Sequence, residues 1–380
     1  MKRRLTLAAA LLAAACVLPA AAQQGEPWKI SVFLPITGAN AGYSQDFKLG
    51  YEVAVEEINR KGGIKGRPIA LNMADTQSNP GQVAALIRQA CNEALIVSST
   101  LSQESQVAFP VANSMQCPAF ASATAAAGLT AANRPWGYSI LTPSNVSTPL
   151  AINAVLGVVK PKKAAVVIQK ADNASNLYGE ASVKALTDGK VQVAETLTVG
   201  ANDVDFGPLM SRIAAAQPDL IVISTLDRPA IGMLKEIRKA QYKGTVMVTQ
   251  SAYSVLWNDQ PPELSEGVYR YAQADLASDP DPRVKDFIKA YESKTNGRPP
   301  TFNAALPYDV IMVSKEAIEK GNLSGAAANR ADDRKKFTEA LNGMKNYKGL
   351  TGTMTMTKDG FMQATPLVLQ FRKGKWVRVG

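Results

Sequence analysis

Short apolar runs alternate with helix-length segments along the first part of the chain. Four of these runs have the length and composition of strands: Lys29–Leu34, Ile69–Met73, Leu95–Val97 and Pro118–Ala121. After the first run, Ser44 stands where a helix cap is expected, and hydrophobic residues recur at helical spacing from Phe47 to Ile58. Gly62-Gly63 ends this segment. The alternation of strand and helix predicts a doubly wound parallel sheet.

The second part of the chain shows the same alternation. Its strand-like runs are rich in apolar and β-branched residues: Ala164–Ile168, Val191–Thr196, Leu220–Ser224, Thr245–Thr249 and Gly267–Tyr271. Prolines punctuate two further helices, which we expect near Arg283–Lys294 and Ala304–Lys320. The carboxyl-terminal segment alternates as short strands. We therefore expect a second α/β unit of the same kind, although its residues do not repeat those of the first.

Small residues, most of them polar, follow two neighbouring strands of the first unit. They are Ser98, Ser99, Thr100 and Ser102 after one strand, and Ser122, Ala123 and Thr124 after the other. The ligand crevice of an open parallel sheet lies beyond the carboxyl ends of its strands. We therefore expect these residues to line one cleft. Ser102 also begins a helix, where its side chain is expected to act as the N-cap.

Composition limits the chemistry that the chain can perform. At 380 residues it is longer than one typical domain, and 46% hydrophobic against 19% charged residues indicates a globular protein. It contains no histidine, which excludes Ser–His–Asp and Cys–His nucleophilic systems and removes the commonest zinc ligand. A hydrolase would have to use carboxylates, such as Asp75 paired with Asp227 or Glu104, and nothing in their spacing supports that alternative. We expect no cofactor.

The first 22 residues predict a secretory signal peptide. Lys2-Arg3-Arg4 precede an apolar run that is too short to span a membrane, and Ala20-Ala21-Ala22 forms a small-residue cleavage site. Lipoprotein processing at Cys16 is disfavoured because the alanines before it match a lipobox poorly. We expect a periplasmic protein cleaved after Ala22.

Removal of this segment takes away three basic residues and lowers the formal net charge from +10 to +7. The remaining lysines and arginines are interleaved with acids, and no basic stripe with aromatic residues is present. We expect no nucleic-acid partner.

Two cysteines remain after cleavage. Cys91 and Cys117 each precede one of the two neighbouring strands, at the end of the sheet opposite the expected cleft. Two alternatives stay open, namely a disulfide, which an oxidising compartment favours, and two buried free thiols.

Several stretches of the chain resemble the type I periplasmic binding proteins that serve branched-chain amino acid ABC importers. The most specific is EEINRKGGIKGRPI, and the others include ADTQSNP, FPVANSMQCPAFASAT, NDVDF, PDLIVIST and YKGLTGTMTMTKDGFMQATPLVLQFRKGKWV. The resemblance covers essentially the whole mature chain. It implies two doubly wound parallel-sheet lobes joined by a three-stranded hinge.

The resemblance also implies how the chain is divided between the lobes. It places the crossings near Thr142–Asn145, near Ala274–Ala277 and near Leu350. The first lobe is then expected to contain residues 27–143 and 276–349, and the second lobe residues 144–275 and 350–380.

The function that this resemblance implies is solute binding without catalysis. Two lobes would close over a small polar ligand, and the closed form would dock on the membrane subunits of an ABC permease. We expect a monomer. A ligand-sensing receptor component is an alternative use of the same fold.

The resemblance assigns roles to residues on the first lobe. Ser102 would bind the ligand carboxylate together with backbone N–H groups at the helix start. Ala123 and Thr124 would supply a backbone carbonyl and a hydroxyl, with Ala125 as the alternative because ASATAA lacks the proline common at this point. Tyr43 and Tyr178 each stand beside a glycine and are expected either to contact the ligand or to pack in the core.

The second lobe departs from the family pattern. Amino-acid binders of this family hold the ligand ammonium with a carboxylate that follows a strand near Thr249, where this chain has Gln250-Ser251-Ala252-Tyr253 and no acid. Asp227 could replace that carboxylate, or it could cap the helix before Pro229. Ser251 is a further candidate contact. An unpaired buried ammonium would be unfavourable, so an amino acid and a carboxylate without an ammonium, aliphatic or aromatic, both remain possible ligands.

Overall fold

The computed structural model describes residues 25–38, 40–252, 255–257 and 260–379. The signal peptide expected over residues 1–22, with Cys16, lies outside these ranges. Five parallel strands form the first sheet, in the order β2-β1-β3-β4-β5. Their bounds are β1 Trp28–Leu34, β2 Ile69–Asp75, β3 Ile96–Leu101, β4 Ala119–Ala123 and β5 Gly137–Ser139.

Helices cover both faces of this sheet, as the doubly wound prediction requires. Those that follow its strands are α1 Ala41–Arg60, α2 Pro80–Cys91, α3 Ser102–Ser114 and α4 Leu129–Ala132. Three later helices return to it: α10 Pro282–Glu292, α11 Phe302–Lys320 and α12 Arg330–Asn342. One face packs a core with α1, α10, α11 and α12, and the other face packs a core with α2 and α3. The apolar stripes on these helices are buried against the sheet, which stabilises both layers.

The second sheet has seven strands in the order β15-β14-β10-β9-β8-β6-β7. Their bounds are β6 Lys163–Ile168, β7 Gln192–Thr198, β8 Leu220–Ser224, β9 Thr245–Val248, β10 Tyr269–Ala272, β14 Leu367–Arg372 and β15 Lys375–Arg378. The strands from β6 to β10 are parallel, and β14 and β15 are antiparallel additions at one edge. The helices of this unit are α5 Ser144–Val159, α6 Asn173–Asp188, α7 Gly207–Ala216, α8 Asp227–Lys239 and α9 Pro262–Ser265. Cores form on both faces, so this unit is also doubly wound.

Three passages connect the two units. The first runs from β5 to α5, the second from β10 to α10, and the third through the small sheet of β11 Tyr347–Gly349, β12 Gly352–Met356 and β13 Met362–Gln363. Short 3₁₀ turns occur at Val255–Trp257 and Ala327–Asn329. Met354 and Met362 pack in the core that α1 and α11 share with the first sheet. The residue bounds of the lobes stay a prediction.

One buried glutamine touches all three passages. The Gln273 Oε1 accepts a hydrogen bond from the Thr142 N–H at 2.9 Å, and its Nε2 donates to the Ile140 carbonyl at 3.0 Å and to the Thr351 Oγ1 at 3.4 Å. Asp309 of α11 extends this network, because its carboxylate accepts from the Thr351 hydroxyl at 2.6 Å and from the backbone N–H groups of Leu350 and Thr351. We call Thr142, Gln273, Asp309 and Thr351 the hinge network.

Three expected helix caps are wrong by one to four residues. α1 begins at Ala41, so Ser44 lies inside its first turn. Ser102 and Asp227 are the first residues of α3 and α8, and Leu101 and Leu226 occupy the cap positions. Neither leucine side chain can accept a hydrogen bond, so the free N–H groups at the start of α3 remain available for other acceptors.

None of the helices among the described residues is both long and apolar enough to cross a membrane. Over the same part of the chain, no group of three or more acidic or cysteine side chains is arranged to hold a metal ion.

Candidate ligand-binding cleft

A cleft lies between the two units at the carboxyl ends of their strands. It contains about 760 Å³ of unfilled space, counting the part that opens to solvent. One wall comes from the first unit, at the starts of α1, α3 and α11 and the end of β4. The other wall comes from the second unit, at the start of α6 and in the turns after β8 and β9. This is the position that the strand order of a parallel sheet predicts.

The first wall brings Ser102, Ala123, Thr124 and Ala125 together, as the resemblance implied. β3 and β4 are neighbours in register, with Leu101 opposite Ala123. The Ser102 hydroxyl oxygen accepts the Ala125 N–H at 3.0 Å and lies 3.4 Å from the Thr124 hydroxyl, which donates to it. Ser102 and Ala123 line the cleft. Because Ser102 is the first residue of α3, the positive end of the helix dipole adds to this polar cluster.

Four other hydroxyls expected in the cleft are used elsewhere, so that part of the prediction is wrong. Ser98 and Ser122 are both hydrogen-bonded to the phenol of Tyr51. The Ser99 hydroxyl bonds with that of Ser105, and the Thr100 hydroxyl donates to the Phe33 carbonyl. Their role is to satisfy buried polar groups between the sheet and its helices.

Hydrogen bonds at two places join the described parts of the walls across the cleft. The Tyr43 phenol of α1 donates a 2.5 Å hydrogen bond to the Asp227 Oδ2 of α8, and it lies 3.4 Å from the Ser251 carbonyl oxygen. Burial raises the pKa of Tyr43, and the negative charges of Asp227 and Asp172 raise it further. At the rim, the Asn173 amide donates to the Gln106 side chain at 2.9 Å. Tyr43 and Ser251 line the cleft, whereas Asp227 stands behind the Tyr43 phenol.

Tyr178 lies on α6 and reaches the cleft from the second unit. Its ring packs edge-on against Tyr271 with 6.1 Å between centroids. Burial raises the pKa of Tyr178, with a smaller contribution from Asp172. Tyr178 lines the cleft and packs in the core of the second unit, and its contact with a ligand stays a prediction.

Sequence reasoning missed Asp172, which lines the cleft, and it assigned no ligand contact to Glu104 or Gln250, which line it as well. Asp172 is the N-cap of α6, where its Oδ1 accepts the Ser175 N–H at 2.7 Å. Glu104 is buried in α3, accepts the hydroxyl of Thr76, and has its pKa raised by burial. Gln250 is buried, and its Nε2 has no hydrogen-bond partner among the described residues. The sequence could have indicated Asp172 as a cleft residue by its position alone, four residues after the apolar run that forms β6.

The paired carboxylates that a hydrolase would need are absent from the described part of the cleft. Asp75 lies outside it and accepts hydrogen bonds from the Thr37 hydroxyl and the Gln77 N–H. Asp227 bonds to Tyr43, and Glu104 bonds to Thr76. Each of these acids therefore accepts a hydrogen bond from a hydroxyl of the protein itself.

Cys91 and Cys117 are both buried, and both are free thiols in the structure. They belong to one core cluster. Neither sulfur is in a disulfide in this structure, and the disulfide that an oxidising compartment favours stays a prediction. Burial raises the pKa of Cys117, so that thiol is protonated at neutral pH.

Comparison with known proteins agrees with this architecture. The sequence model of a family described as periplasmic binding protein matches residues 27–375. The chain is 25% identical over 340 residues to the leucine-, isoleucine-, valine-, threonine- and alanine-binding protein of Pseudomonas aeruginosa, covering 87% of this chain and 86% of that protein. It is 27% identical over 254 residues to the Leu/Ile/Val-binding protein of Escherichia coli K12, covering 64% and 66%.

Solved structures share the fold at low sequence identity. The isoleucine complex of a branched-chain amino acid transporter substrate-binding protein from Streptococcus pneumoniae superimposes with a TM-score of 0.80 at 20% identity, covering 93% of this chain and 99% of the other. The benzoate complex of an ABC transporter solute-binding protein from R. palustris also has a TM-score of 0.80, at 18% identity and with coverages of 93% and 96%.

The two doubly wound units and the cleft between them have the architecture of a two-lobed periplasmic binding protein. With the family model covering nearly all of the described chain, the protein belongs to the periplasmic binding protein family.

Proposed function

We propose that this protein captures a small carboxylate-bearing solute, a branched-chain or other amino acid, and delivers it to the membrane subunits of an ABC permease. The observation that carries the proposal is the polar cluster at the start of α3. Ser102, Thr124 and the Ala125 N–H converge there beside the positive end of a helix dipole, where an anionic oxygen is stabilised. The relatives in P. aeruginosa and E. coli are named as binding proteins for leucine, isoleucine and valine, which supports an amino acid as the ligand.

A carboxylate without an ammonium is a second candidate. Gln250 stands where the family's amino-acid binders carry an acid, and its amide cannot neutralise an ammonium charge. The R. palustris protein of the same fold was solved with benzoate. The two candidates share the carboxylate site at Ser102 and differ in what the second wall must bind.

Ligand binding without turnover is tested by mass spectrometry of the ligand that co-purifies with the mature protein, followed by calorimetric titration with amino acids and small carboxylates. We expect Ser102→Ala to weaken every acidic ligand by about 1–3 kcal/mol, since it removes a hydroxyl from the anion site. Ser105→Ala is the matched control, because Ser105 lies one turn further along α3 and bonds only to Ser99 and Leu101. Recovery of a chemically altered ligand would contradict the proposal.

The proposed function also includes export of the protein to the periplasm and a monomeric state. The basic start, apolar run and alanine cleavage site of residues 1–22 support secretion to the periplasm. Amino-terminal sequencing of the mature protein is expected to begin at Gln23. Sedimentation of that protein is expected to give a monomer, which docks on its permease with the ligand enclosed.

A further inference from the structure

Two carboxylates, Asp172 and Glu104, line the cleft, and none of the described residues lining it is lysine or arginine. A ligand carrying only negative charge would enter a site with like charges and no counter-ion on the second wall. The charge distribution favours a ligand that also carries a positive group.

Asp172 is the carboxylate best placed to meet that group. Its Oδ1 is held by the Ser175 N–H at 2.7 Å, which fixes the side chain at the start of α6. Within the described chain, no hydrogen bond or ion pair occupies its Oδ2. The phenols of Tyr43 and Tyr178 lie close enough for the charge of Asp172 to raise the pKa of both. A cation beside Asp172 would therefore also lie near two aromatic rings, which attract cations through their faces.

Gln250 gives an independent indication of a ligand on the same wall. The side chain lines the cleft at 7% exposure, and its Nε2 has no partner among the described residues. A buried N–H without an acceptor is unfavourable until something supplies one. A ligand oxygen in the cleft would satisfy it. Because the amide is neutral, the charge that balances a ligand cation has to come from another residue.

We propose that Asp172 binds the cationic nitrogen of the ligand while Gln250 donates a hydrogen bond to a ligand oxygen, so that the cleft selects a zwitterion over the corresponding plain carboxylate. This inference rests on the proposed function, in which Ser102 receives the carboxylate. The inference places the carboxylate that balances the ligand cation at the start of α6 instead of in the turn after β9.

The test uses pairs of probes that differ only in the ammonium group. They are L-leucine and 4-methylpentanoate, L-valine and 3-methylbutanoate, and L-phenylalanine and 3-phenylpropanoate. Affinities are measured by calorimetry on the mature protein after ligand removal by extensive dialysis. We expect the amino acid of at least one pair to bind about 30-fold more tightly than its des-amino partner, as a charge-assisted hydrogen bond provides.

Asp172→Asn is the decisive variant. Asparagine caps a helix as well as aspartate does, so α6 is retained while the charge is lost. We expect the variant to lose about 30-fold in affinity for the amino acid and to bind the des-amino partner within about threefold of the unmodified protein. Asp188→Asn is the control, because Asp188 lies at the exposed far end of the same helix and pairs with Lys184. That variant is expected to keep the preference unchanged.

Three results would count against this proposal, and they differ in what else they reject. Equal affinity for both members of every pair, or an equal loss of both in Asp172→Asn, overturns the role of Asp172 and leaves the carboxylate site standing. Failure of all six probes to bind the unmodified protein rejects the proposed function and this inference together.

Discussion

The Tyr43 phenol donates a 2.5 Å hydrogen bond to the Asp227 carboxylate, and this contact joins α1 of one unit to α8 of the other. The two residues are far apart in sequence and meet only when the walls of the cleft approach each other. The bond is therefore available to the closed form and lost when the lobes separate, which gives the closed form a differential stabilisation.

Removing this contact is expected to shift the protein towards the open form. In Tyr43→Phe the charge-assisted hydrogen bond is lost while the ring is kept, so we expect ligand affinity to fall by about tenfold. Small-angle X-ray scattering of the ligand-free variant is expected to show a larger radius of gyration. Tyr242→Phe is the control, since its phenol bonds to the Pro218 carbonyl within the second unit. An unchanged radius and affinity in Tyr43→Phe would show that the contact does not bias closure.

The Gln250 Nε2 has no hydrogen-bond partner among the described residues. We therefore expect replacement of Gln250 to have opposite effects on stability and on ligand binding. Gln250→Met keeps the volume and removes the unsatisfied N–H, so we expect the free energy of unfolding of the ligand-free protein to rise by about 1 kcal/mol. Ligand affinity is expected to fall, because the donor to the ligand is gone.

Gln169 provides the contrast for that measurement. This glutamine is also buried, but its Oε1 accepts the Leu226 N–H at 3.0 Å. Gln169→Met is therefore expected to lower the free energy of unfolding, by about 1–3 kcal/mol, since it leaves that N–H without an acceptor. Denaturant unfolding measures both variants, and a loss of stability in Gln250→Met would contradict the assignment.

Asp309 predicts how stability depends on pH. Burial raises the pKa of this carboxyl from 3.8 to about 6, against the lowering effect of its hydrogen bonds from Thr351 and Leu350. Because the folded state binds the proton more tightly than the unfolded state, the contribution of this group to the free energy of unfolding falls as pH rises from about 4 to 6. The change amounts to about 3 kcal/mol for a shift of this size.

The contribution of Asp309 is obtained as the difference in the free energy of unfolding between the unmodified protein and Asp309→Asn. Unfolding by denaturant is measured for both between pH 4 and pH 7. We expect the unmodified protein to lose stability relative to the variant across pH 4 to 6, and the difference to level off above that range. A constant difference over the whole range would mean that Asp309 titrates at the same pH in both states.

The thiols of Cys91 and Cys117 are expected to react as a pair. They are buried in one core cluster, so we expect a mild oxidant to join them. We expect diamide to remove both titratable thiols together and to raise the free energy of unfolding by about 3 kcal/mol through the closed loop. In Cys117→Ser the remaining thiol is expected to stay titratable. Independent loss of the two thiols would contradict the pairing.

Much of the fold was predictable because its strands are short, apolar and separated by periodic helices. β8 was placed at its observed bounds from the run Leu220–Ser224, and both sheets follow from the order of the runs. Helix starts were less accurate, because Ser44 and Ser102 are residue types that cap helices and yet lie inside them here. Propensity is local, whereas tertiary contacts decide where each helix begins.

Only part of the site could be predicted, because topology places residues that follow adjacent strands but does not show how a helix packs on the sheet. Ser102, Ala123 and Thr124 follow adjacent strands, so their proximity could be inferred from topology. The contact of Ser98 and Ser122 with Tyr51 depends on how α1 packs on the sheet, and no sequence spacing indicates it. Asp172 was not predicted because it follows β6, whereas the family pattern places the acid that binds the ligand ammonium after the strand near Thr249.

Gln273 stands on the second passage between the lobes, and its side-chain amide bonds to groups in the first and in the third. Each passage is thus tied to the other two, and none can rotate independently without breaking a buried hydrogen bond. We therefore expect the lobes to move about one pivot with one principal degree of freedom. The state of the cleft is then expressed in a single angle between the lobes, whatever the chemistry of the solute inside.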